Sequence, residues 1–367
     1  LEVTLSYDRD AGVLDLGCLD PTGFRGTSGG ARDRFVIGTT AATPGYLPGP
    51  LPGGTWQVML GLHRIPAAGL PYEVTARGGA VRIDQPAAPP PTPERPPGRD
   101  LPAPAGMRWL AGDLHAHTLH SDGSRTIDEL ACLAVAAGLD FLAVTDHNTT
   151  SHHPHLAAVG ARHGITLLPG QEVTTDTGHA NVFGDVGWID FREPAQAWVD
   201  TAAARGALMS INHPLAGDCA WRQPLDRRPP LAEVWHWSWL DTRWGGPVAW
   251  WEAWGLDVVP IGGSDFHDPA QGRSPGSPTT WVLCEDDGVD AVLAGLTAGR
   301  TAVAAGREAP VLLRVGDELI ALGADGTLLV GPDGRRRPVH GDRFSVGATA
   351  GPHRLDTHDG GTIALCT

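Results

Sequence analysis

The sequence predicts an α/β protein in which a closed parallel β-barrel lies between two β-rich regions. Strand-like and helix-like segments alternate from Arg108 to about Ala309, a pattern typical of repeated βα units. A proline-dense segment separates this alternation from an N-terminal region of short strand-like runs. We therefore expect four parts: an all-β, sandwich-like domain at 1–84, a linker at 85–106, the barrel domain at 107–310 and a small β-rich extension at 311–367.

The N-terminal region consists of runs rich in Val, Leu, Ile, Thr and aromatic residues, separated by Gly, Pro and Asp. This pattern indicates short strands joined by turns. The predicted strands are Val3–Tyr7, Val13–Leu16, Arg34–Ile37, Thr55–Leu60, Tyr72–Ala76 and Val81–Ile83. A small β-sandwich suits this spacing. No group of chemically reactive residues occurs there, so the region is expected to serve packing or binding.

The segments on either side of the predicted barrel differ in composition. Residues 85–106, QPAAPPPTPERPPGRDLPAPAG, are dense in proline. Because proline fixes φ and removes an amide donor, we expect an extended linker and a domain boundary here. Beyond Ala309 the chain is β-rich, with turn signals at Asp325-Gly326 and Asp333-Gly334.

The first βα unit of the predicted barrel has clear boundaries. Trp109–Leu114 predicts a strand. The segment Thr126–Ala137 predicts a helix, because Thr126 and Glu129 have the spacing of a capping box. Phe141–Val144 is an apolar run suited to a buried parallel strand. Further strands are predicted at Ile165–Leu168, Asn181–Phe183, Ala207–Ile211, Val234–Trp237 and Val258–Ile261.

The overall composition excludes several classes of function. A net charge of −15 over 367 residues argues against general nucleic-acid binding and against anionic membranes, which both need a basic face. No apolar run is long enough to cross a bilayer, and no export signal is visible. The five cysteines are scattered without a CxxC pair. They indicate free thiols in a reducing compartment and predict a cytoplasmic location.

Nine His, Asp and Glu side chains lie mostly at the C-terminal ends of predicted strands, where barrel active sites form. They are His115, His117, Asp122, His147, Glu172, His179, His213, Asp265 and His267. These residue types, at these spacings, are typical of metal ligands. His179 differs because it precedes a strand, which an antiparallel edge or a local irregularity would explain.

Nine donors exceed what one divalent ion uses, so the sequence predicts two or three ions, with Glu172 or another carboxylate bridging. Three dications against three carboxylates leave a net positive site, which attracts phosphate despite the acidic protein. Such ions lower the pKa of a bound water towards neutrality and provide a hydroxide nucleophile. The mixed His and carboxylate donors suit Mn, Fe or Zn.

Five separated segments share the order of one family's motifs: DLHAHTLHSDG, VTDHN, GQEVTTDTGHANVFG, NHP and GSDFH. Over roughly Met107–Pro310 the chain resembles the polymerase and histidinol phosphatase (PHP) family. The resemblance implies a distorted (β/α)7 barrel with a metal cluster, often trinuclear, at its mouth. The string Gly170–Gly184 is similar to a branch that includes carbaryl-type ester hydrolases, which often carries a β-rich N-terminal region.

The resemblance also implies how the donors are divided among the ions. It implies one ion held by His115, His117, Glu172 and Asp265. It implies a second ion held by Glu172, His179 and His213. It implies a third ion held by Asp122, His147 and His267. None of these positions is lost from the sequence, which argues against a degenerate member of the family.

Three further residues are candidates for a catalytic role. Asp146 is interpreted either as an acceptor that orients a ligand imidazole or as a strand-end cap. His236 is a candidate to protonate a leaving group. Arg273 is a candidate fork for a phosphate or carboxylate, although a surface arginine is the simpler interpretation. In the Trp-rich segment that follows, Trp237 and Trp239 are expected to line the pocket.

These observations favour a metal-dependent hydrolase that acts on a small-molecule phosphoester. Hydrolysis of a carboxylic or carbamate ester by the same site is the first alternative, suggested by the branch resemblance and the tryptophans. A metal-containing binding module without turnover is the second alternative. The oligomeric state is not predicted.

Overall fold

The computed structural model describes residues 1–79, 83, 88–239 and 242–367. Over these residues it contains 22 strands and five α-helices. The helices are α1 (Ile127–Ala136), α2 (His153–His163), α3 (Ala195–Ala204), α4 (Gly246–Trp254) and α5 (Val289–Thr297). Within the described ranges, none of the helices is long and apolar enough to span a membrane.

The N-terminal region forms two three-stranded antiparallel sheets, as expected for a small sandwich. Its strands are β1 (Glu2–Tyr7), β2 (Val13–Asp20), β3 (Gly23–Thr27), β4 (Arg34–Val36), β5 (Gln57–Arg64) and β6 (Tyr72–Arg77). The sheet orders are β4-β1-β6 and β3-β2-β5. Alternate side chains such as Leu5, Leu14, Leu16 and Phe35 point into one shared core. Most of the strand expected at Val81–Ile83 lies outside the described residues.

The proline-dense segment is extended, and it is also anchored to the domain that follows. Residues 88–104 contain no helix or strand. The Arg95 guanidinium donates to the Gly164 carbonyl at 2.6 Å. Nη1 of Arg99 donates to the carbonyls of Arg307 at 2.7 Å and Ala309 at 2.8 Å. The segment therefore lies along the barrel domain as a strap.

The central domain contributes nine strands in chain order. They are β7 (Arg108–Asp113), β8 (Phe141–Val144), β9 (Thr166–Thr175), β10 (Gly178–Phe183), β11 (Leu208–Ile211), β12 (Leu231–His236), β13 (Val259–Gly263), β14 (Thr279–Cys284) and β15 (Thr301–Ala304). Helix α1 has the expected capping box, since Thr126 Oγ1 accepts from the Glu129 amide at 3.2 Å and Glu129 Oε2 accepts from the Thr126 amide at 2.9 Å.

The expectation of a closed parallel barrel is wrong in detail, because the central sheet is mixed. Strands β7, β8 and β9 are parallel, and so are β11, β12 and β13, but β10 is antiparallel to both β9 and β11. Only Asp176 and Thr177 join β9 to β10, and a parallel crossover needs a dozen residues or more. Among the described residues, no backbone ladder joins β13 to β14. The two strands are linked by Thr280 Oγ1, which accepts from the Gly262 amide and donates to the Gly262 carbonyl, both at 2.8 Å.

The C-terminal extension continues the same sheet. Its strands are β16 (Val311–Val315), β17 (Glu318–Leu322), β18 (Leu328–Val330), β19 (Arg336–Pro338), β20 (Arg343–Gly347), β21 (His353–Asp356) and β22 (Thr362–Cys366). Strands β22, β21, β18 and β19 follow β15 in one 13-stranded sheet, while β16, β17 and β20 form a separate sheet.

The interior of the rolled sheet is a cluster of fully buried apolar side chains that includes Leu114, Phe141, Phe183 and Ile261. Gly112 leaves room for it, because a Cβ there would lie 2.1 Å from Cζ of Phe141. The polar side chains of the site lie directly above this apolar core.

Candidate metal centre

The nine predicted donors all lie at one edge of the rolled sheet. His115 and His117 follow β7, His147 follows β8, His213 follows β11, and Asp265 follows β13. Because these strands are parallel to one another or flanked by an antiparallel partner, their ends meet on the same side. His179 lies inside the antiparallel strand β10, as its second residue, and pairs with Thr174 near the end of β9. The antiparallel direction of β10 brings the start of this strand to the same edge as the C-terminal ends of the parallel strands.

Glu172 is the hub of the cluster. Its side chain is fully buried, and five imidazoles lie within 3.5 Å of its two carboxylate oxygens. They are those of His115 (3.2 Å), His117 (3.5 Å), His147 (2.8 Å), His179 (3.2 Å) and His213 (3.3 Å). A single carboxylate that faces so many imidazoles has the position of a bridging ligand.

Asp265 is the second shared carboxylate. Its Oδ1 lies 3.2 Å from His115 Nε2 and 3.0 Å from His117 Nε2, and its Oδ2 lies 3.4 Å from His236 Nε2. The backbone of Asp265 has φ of +50°, and that of His213 has φ of +25°. Left-handed backbone at residues other than glycine is uncommon and is concentrated at functional sites.

Asp122 forms the outer part of the cluster together with His147 and His267. Its Oδ1 lies 3.5 Å from His147 Nε2 and 3.3 Å from His267 Nε2. The Asp122 side chain is 46% exposed, whereas that of Asp265 is 15% exposed. We call Asp122, His147 and His267 the rim group, and His115, His117, Glu172 and Asp265 the floor group.

Electrostatic shifts follow from this crowding. Burial opposes charge on Glu172, yet the neighbouring imidazoles hold its pKa well below the usual range. Burial also opposes charge on His115, but the carboxylates of Glu172 and Glu233 raise its pKa well above the usual range. Burial and two nearby imidazoles lower the pKa of His117 to about 4. His117 is therefore neutral at pH 7, the form in which an imidazole donates a lone pair to a cation.

The donor set fits divalent ions. Two sets of four residues have ligand atoms that all lie within 4.8 Å of one another. One set is the floor group, and the other is the rim group together with His117. Buried atoms of the floor, His115 Nε2 and Glu172 Oε2, have no hydrogen-bond partner among the described residues. Buried polar atoms are rarely left without a partner. Convergent, unpartnered nitrogen and oxygen atoms are what a metal ion would satisfy.

Glu233, on β12, is a functional residue that the sequence analysis missed. Its fully buried carboxylate accepts from His115 Nδ1 at 2.7 Å and from the His213 amide at 2.7 Å. It therefore fixes the ring of one floor ligand and the backbone of another donor. The available signal was a single acid within the apolar run of Leu231–His236.

Two further residues orient donors through side-chain hydrogen bonds. Asn212 Nδ2 donates to Glu172 Oε1 at 2.8 Å. Thr174 Oγ1 lies 2.6 Å from His147 Nδ1. Cys219 Sγ lies 3.5 Å from His213 Nδ1 and places a soft donor beside the cluster.

Of the two interpretations of Asp146, the hydrogen bonds favour a cap at the strand end over an acceptor that orients a ligand imidazole. Its buried carboxylate accepts from the backbone amides of Thr118 (2.8 Å) and Ser121 (3.1 Å) and from both hydroxyls at 2.7 Å. Its histidine neighbour is His152, at 3.2 Å, which is not one of the nine donors. Asp146 is directed away from the cluster because the loop after β7 folds over it and uses its oxygens.

The other two catalytic candidates lie beside the floor group. His236 is buried, and its Nδ1 lies 2.7 Å from Ser238 Oγ. The Arg273 guanidinium carbon lies 3.3 Å from the centre of a Trp237 ring, and its Nη1 is buried without a hydrogen-bond partner among the described residues. Burial lowers the pKa of Arg273, and the negative charge of Asp265 only partly offsets this effect. Trp239 packs edge-on against Trp250.

Comparison with known proteins assigns a class to part of the chain. Residues 113–220 match the family model described as the PHP domain. Seven of the nine donors fall in this range, and Asp265 and His267 lie beyond it. The resemblance to the PHP family is thereby confirmed over this segment, while the resemblance to the carbaryl-hydrolase-like branch stays a prediction.

Particular relatives share short stretches with the chain. A 3',5'-nucleoside bisphosphate phosphatase of Chromobacterium violaceum is 41% identical over 85 residues, which are 23% of this chain and 30% of that protein. A phosphoribosyl 1,2-cyclic phosphate 1,2-diphosphodiesterase of Eggerthella lenta is 37% identical over 62 residues, 17% of this chain and 24% of that protein. The chain thus covers less than a third of these curated relatives.

One solved structure aligns over a longer range. It is a two-domain protein from Bacteroides vulgatus, described as containing a predicted PHP-like metal-dependent phosphoesterase. The alignment covers 79% of this chain and 100% of that one, with 18% identity and a TM-score of 0.45.

Proposed function

We propose that the protein is a metal-dependent hydrolase of phosphoesters. The observation that carries the proposal is the nine-donor cluster, in which Glu172 and Asp265 are shared among imidazoles on several strands. The names of the two relatives, a bisphosphate phosphatase and a cyclic phosphate diphosphodiesterase, support the same reaction class.

The residues present fit two or three divalent ions of Mn, Fe or Zn. The floor group would hold one ion. Glu172, His179 and His213 would hold a second, and the rim group would hold a third. Such ions supply Lewis-acid stabilisation of phosphoryl oxygens and a water acidified to serve as nucleophile near pH 7.

Arg273 is the protein group best suited to bind the phosphoryl oxygens. Stacking on Trp237 holds the guanidinium plane, and the unpartnered Nη1 leaves donors for an anion. Guanidinium groups match the geometry of phosphate, and stacking on an aromatic ring reduces the freedom that binding must remove. Arg273 therefore orients the substrate beside the floor group.

His236 is placed to hold and release a proton at the substrate. Its Nε2 lies 3.4 Å from Asp265 Oδ2 and has no hydrogen-bond partner in the described parts of the chain. Ser238 fixes the opposite ring nitrogen at 2.7 Å. We assign to Nε2 the delivery of a proton to the departing alcohol oxygen.

Two finer expectations are kept as proposals. The first is the four-part division at 1–84, 85–106, 107–310 and 311–367; the separate N-terminal sheets support its first part, whereas strands of 311–367 share the central sheet. The five unpaired cysteines support a reducing, cytoplasmic environment.

The test is an activity panel on protein stripped with a chelator and reloaded with Mn, Fe or Zn. Release of inorganic phosphate from monoesters, or of an alcohol from diesters, only in the reloaded samples supports the proposal. Turnover of naphthyl acetate or a naphthyl carbamate in preference to every phosphoester would favour the ester alternative. Loaded protein that is inactive on both panels contradicts a hydrolase and favours a binding module.

A further inference from the structure

We propose that the N-terminal domain helps to form the metal centre, and that Arg32 is the positioning residue through which it does so. Arg32 fixes the loop at residues 118–126, here called the rim loop, so that Asp122 meets His147 and His267. This inference rests on the proposed function, because it concerns ions of the same site.

The rim loop joins β7 to α1 and contains no helix or strand. Asp122 lies in its middle, with a side chain that is 46% exposed. Glu172, by contrast, lies within strand β9 and is fully buried. A ligand on a loop keeps its position only where other groups satisfy the backbone of that loop.

The barrel domain holds one side of the rim loop. Asp146 Oδ1 accepts from the Ser121 amide at 3.1 Å and from the Ser121 hydroxyl at 2.7 Å. The Ser124 amide donates to the His267 carbonyl at 2.8 Å. These contacts tie the loop to β8 and to the segment that carries another rim ligand.

The N-terminal domain holds the other side. Arg32 Nη1 donates to the Ser121 carbonyl at 3.0 Å, and Nη2 donates to the Leu119 carbonyl. The Ser121 carbonyl belongs to the peptide group that leads directly into Asp122. Asp146 and Arg32 together therefore fix the backbone on both sides of Ser121, and with it the direction in which the Asp122 side chain leaves the chain.

A second contact shows that the two domains are fitted to each other here. The Gly45 amide lies 3.4 Å from His120 Nδ1, and the Gly45 carbonyl accepts from Thr149 Oγ1 at 2.9 Å. The φ of Gly45 is +99°, and a Cβ there would lie 2.8 Å from the His120 carbonyl oxygen. Only glycine allows this approach of the sandwich backbone to the rim loop.

The test measures metal binding by the full chain without substrate. Mn²⁺ and Zn²⁺ titrations, with elemental analysis of ions retained per chain, compare the wild type with Arg32→Ala and Arg32→Lys. We expect Arg32→Ala to weaken binding of the last ion to load by at least about tenfold, as removal of a residue that positions a metal ligand does. Ions that load earlier keep their affinity. Arg32→Lys recovers part of the loss, since an ammonium reaches one carbonyl.

A matched control comes from the same edge of the sandwich. Arg34 pairs with Glu2 at 2.6 Å on the exposed surface, so Arg34→Ala keeps wild-type ion binding. Equal ion binding by Arg32→Ala and the wild type overturns the proposal. So does an equal loss in Arg34→Ala.

A double-mutant cycle separates positioning from general loosening of the domain. If Arg32 acts through Asp122, then Arg32→Ala weakens binding no further in an Asp122→Asn background. Additive losses place the effect of Arg32 elsewhere and overturn the proposal. If Arg32→Ala does not fold by circular dichroism, the cycle is run with Arg32→Lys.

The readout also keeps the two proposals apart. Ion loading that depends on Arg32, in a protein inactive on every phosphoester, supports this inference and refutes the proposed function. If the protein hydrolyses phosphoesters but Arg32→Ala binds ions as the wild type does, the proposed function is supported and this inference is refuted.

Discussion

The floor and rim groups of the metal centre hold similar side chains by different means. His115, His117 and Glu172 of the floor are fully buried, and the floor donors are fixed by the ends of strands, by each other and by Glu233. The rim carboxylate, Asp122, lies on a loop held by Asp146 and by Arg32 of another domain. Burial makes the floor costly to disturb, because a buried charge left without its partner costs several kcal/mol. The rim lies nearer to solvent, so contacts from other parts of the molecule can change how tightly it binds an ion.

The largest expected effect comes from the hub of the floor. Glu172→Gln removes the charge that five imidazoles face. We expect affinity for the floor ion to fall by about 10²–10⁴-fold, the equivalent of the roughly 3–5 kcal/mol lost when a buried pair is broken. Hydrolysis should be lost with it. Elemental analysis and phosphate release measure both.

Glu252→Gln, on the exposed face of α4, is the control for losing one carboxylate. It should match the wild type in both assays. Full metal content in Glu172→Gln would show that this carboxylate is not shared between ions, and the distinction between floor and rim would fail.

His236→Asn tests whether a floor neighbour donates a proton without holding metal. We expect kcat on an alkyl phosphate to fall by about 10²-fold, the lower range for loss of a general acid. The fall should be much smaller on nitrophenyl phosphate, whose leaving group needs no proton. Metal content should not change. An equal loss on both substrates, or a lost ion, would make His236 a ligand instead.

Glu233→Gln tests how much the affinity of the floor group for its ion depends on a residue that contacts only the ligands. An amide oxygen can accept from His115 Nδ1 or from the His213 amide but cannot satisfy both as the carboxylate does. We expect floor-ion affinity to fall by about 10–100-fold, with the fold retained. Isothermal titration with Mn²⁺ measures it. Unchanged affinity would mean that the strands alone fix His115.

Local features of the fold could be predicted from the sequence. The capping box of Thr126 and Glu129 set the start of α1, and the apolar run Phe141–Val144 is β8. The antiparallel β10 was foreseen only as one explanation of His179, because the predicted strands Ile165–Leu168 and Asn181–Phe183 left a long gap where β9 and β10 are in fact joined by Asp176 and Thr177 alone. The βα alternation nevertheless dominated the prediction and led to a parallel barrel.

Contacts between distant parts of the chain could not be predicted from the sequence. The nine candidate donors could be selected from the sequence because metal ligands have recognisable types and spacing. Glu233 bonds His115 118 positions away, and Arg32 bonds Ser121 89 positions away. Neither has a local pattern, since each role depends on which strand or domain lies opposite. Asp146 shows the limit of sequence neighbourhood, because its place beside His147 left two interpretations open, and only the hydrogen bonds to the loop favour the cap.

The smallest expected effect is at Arg273, which contacts the substrate but no ion in the proposal. Arg273→Ala should raise KM for a phosphoester by about tenfold, since a charge-assisted hydrogen bond contributes about 1.5 kcal/mol or more. Arg273→Lys should recover less than half of this, because an ammonium neither stacks on Trp237 as the guanidinium does nor forms a fork. Metal content should stay at the wild-type value in both. A fall in kcat with unchanged KM would contradict a role in binding the substrate, whereas a raised KM with full metal content would separate substrate binding from both halves of the metal centre.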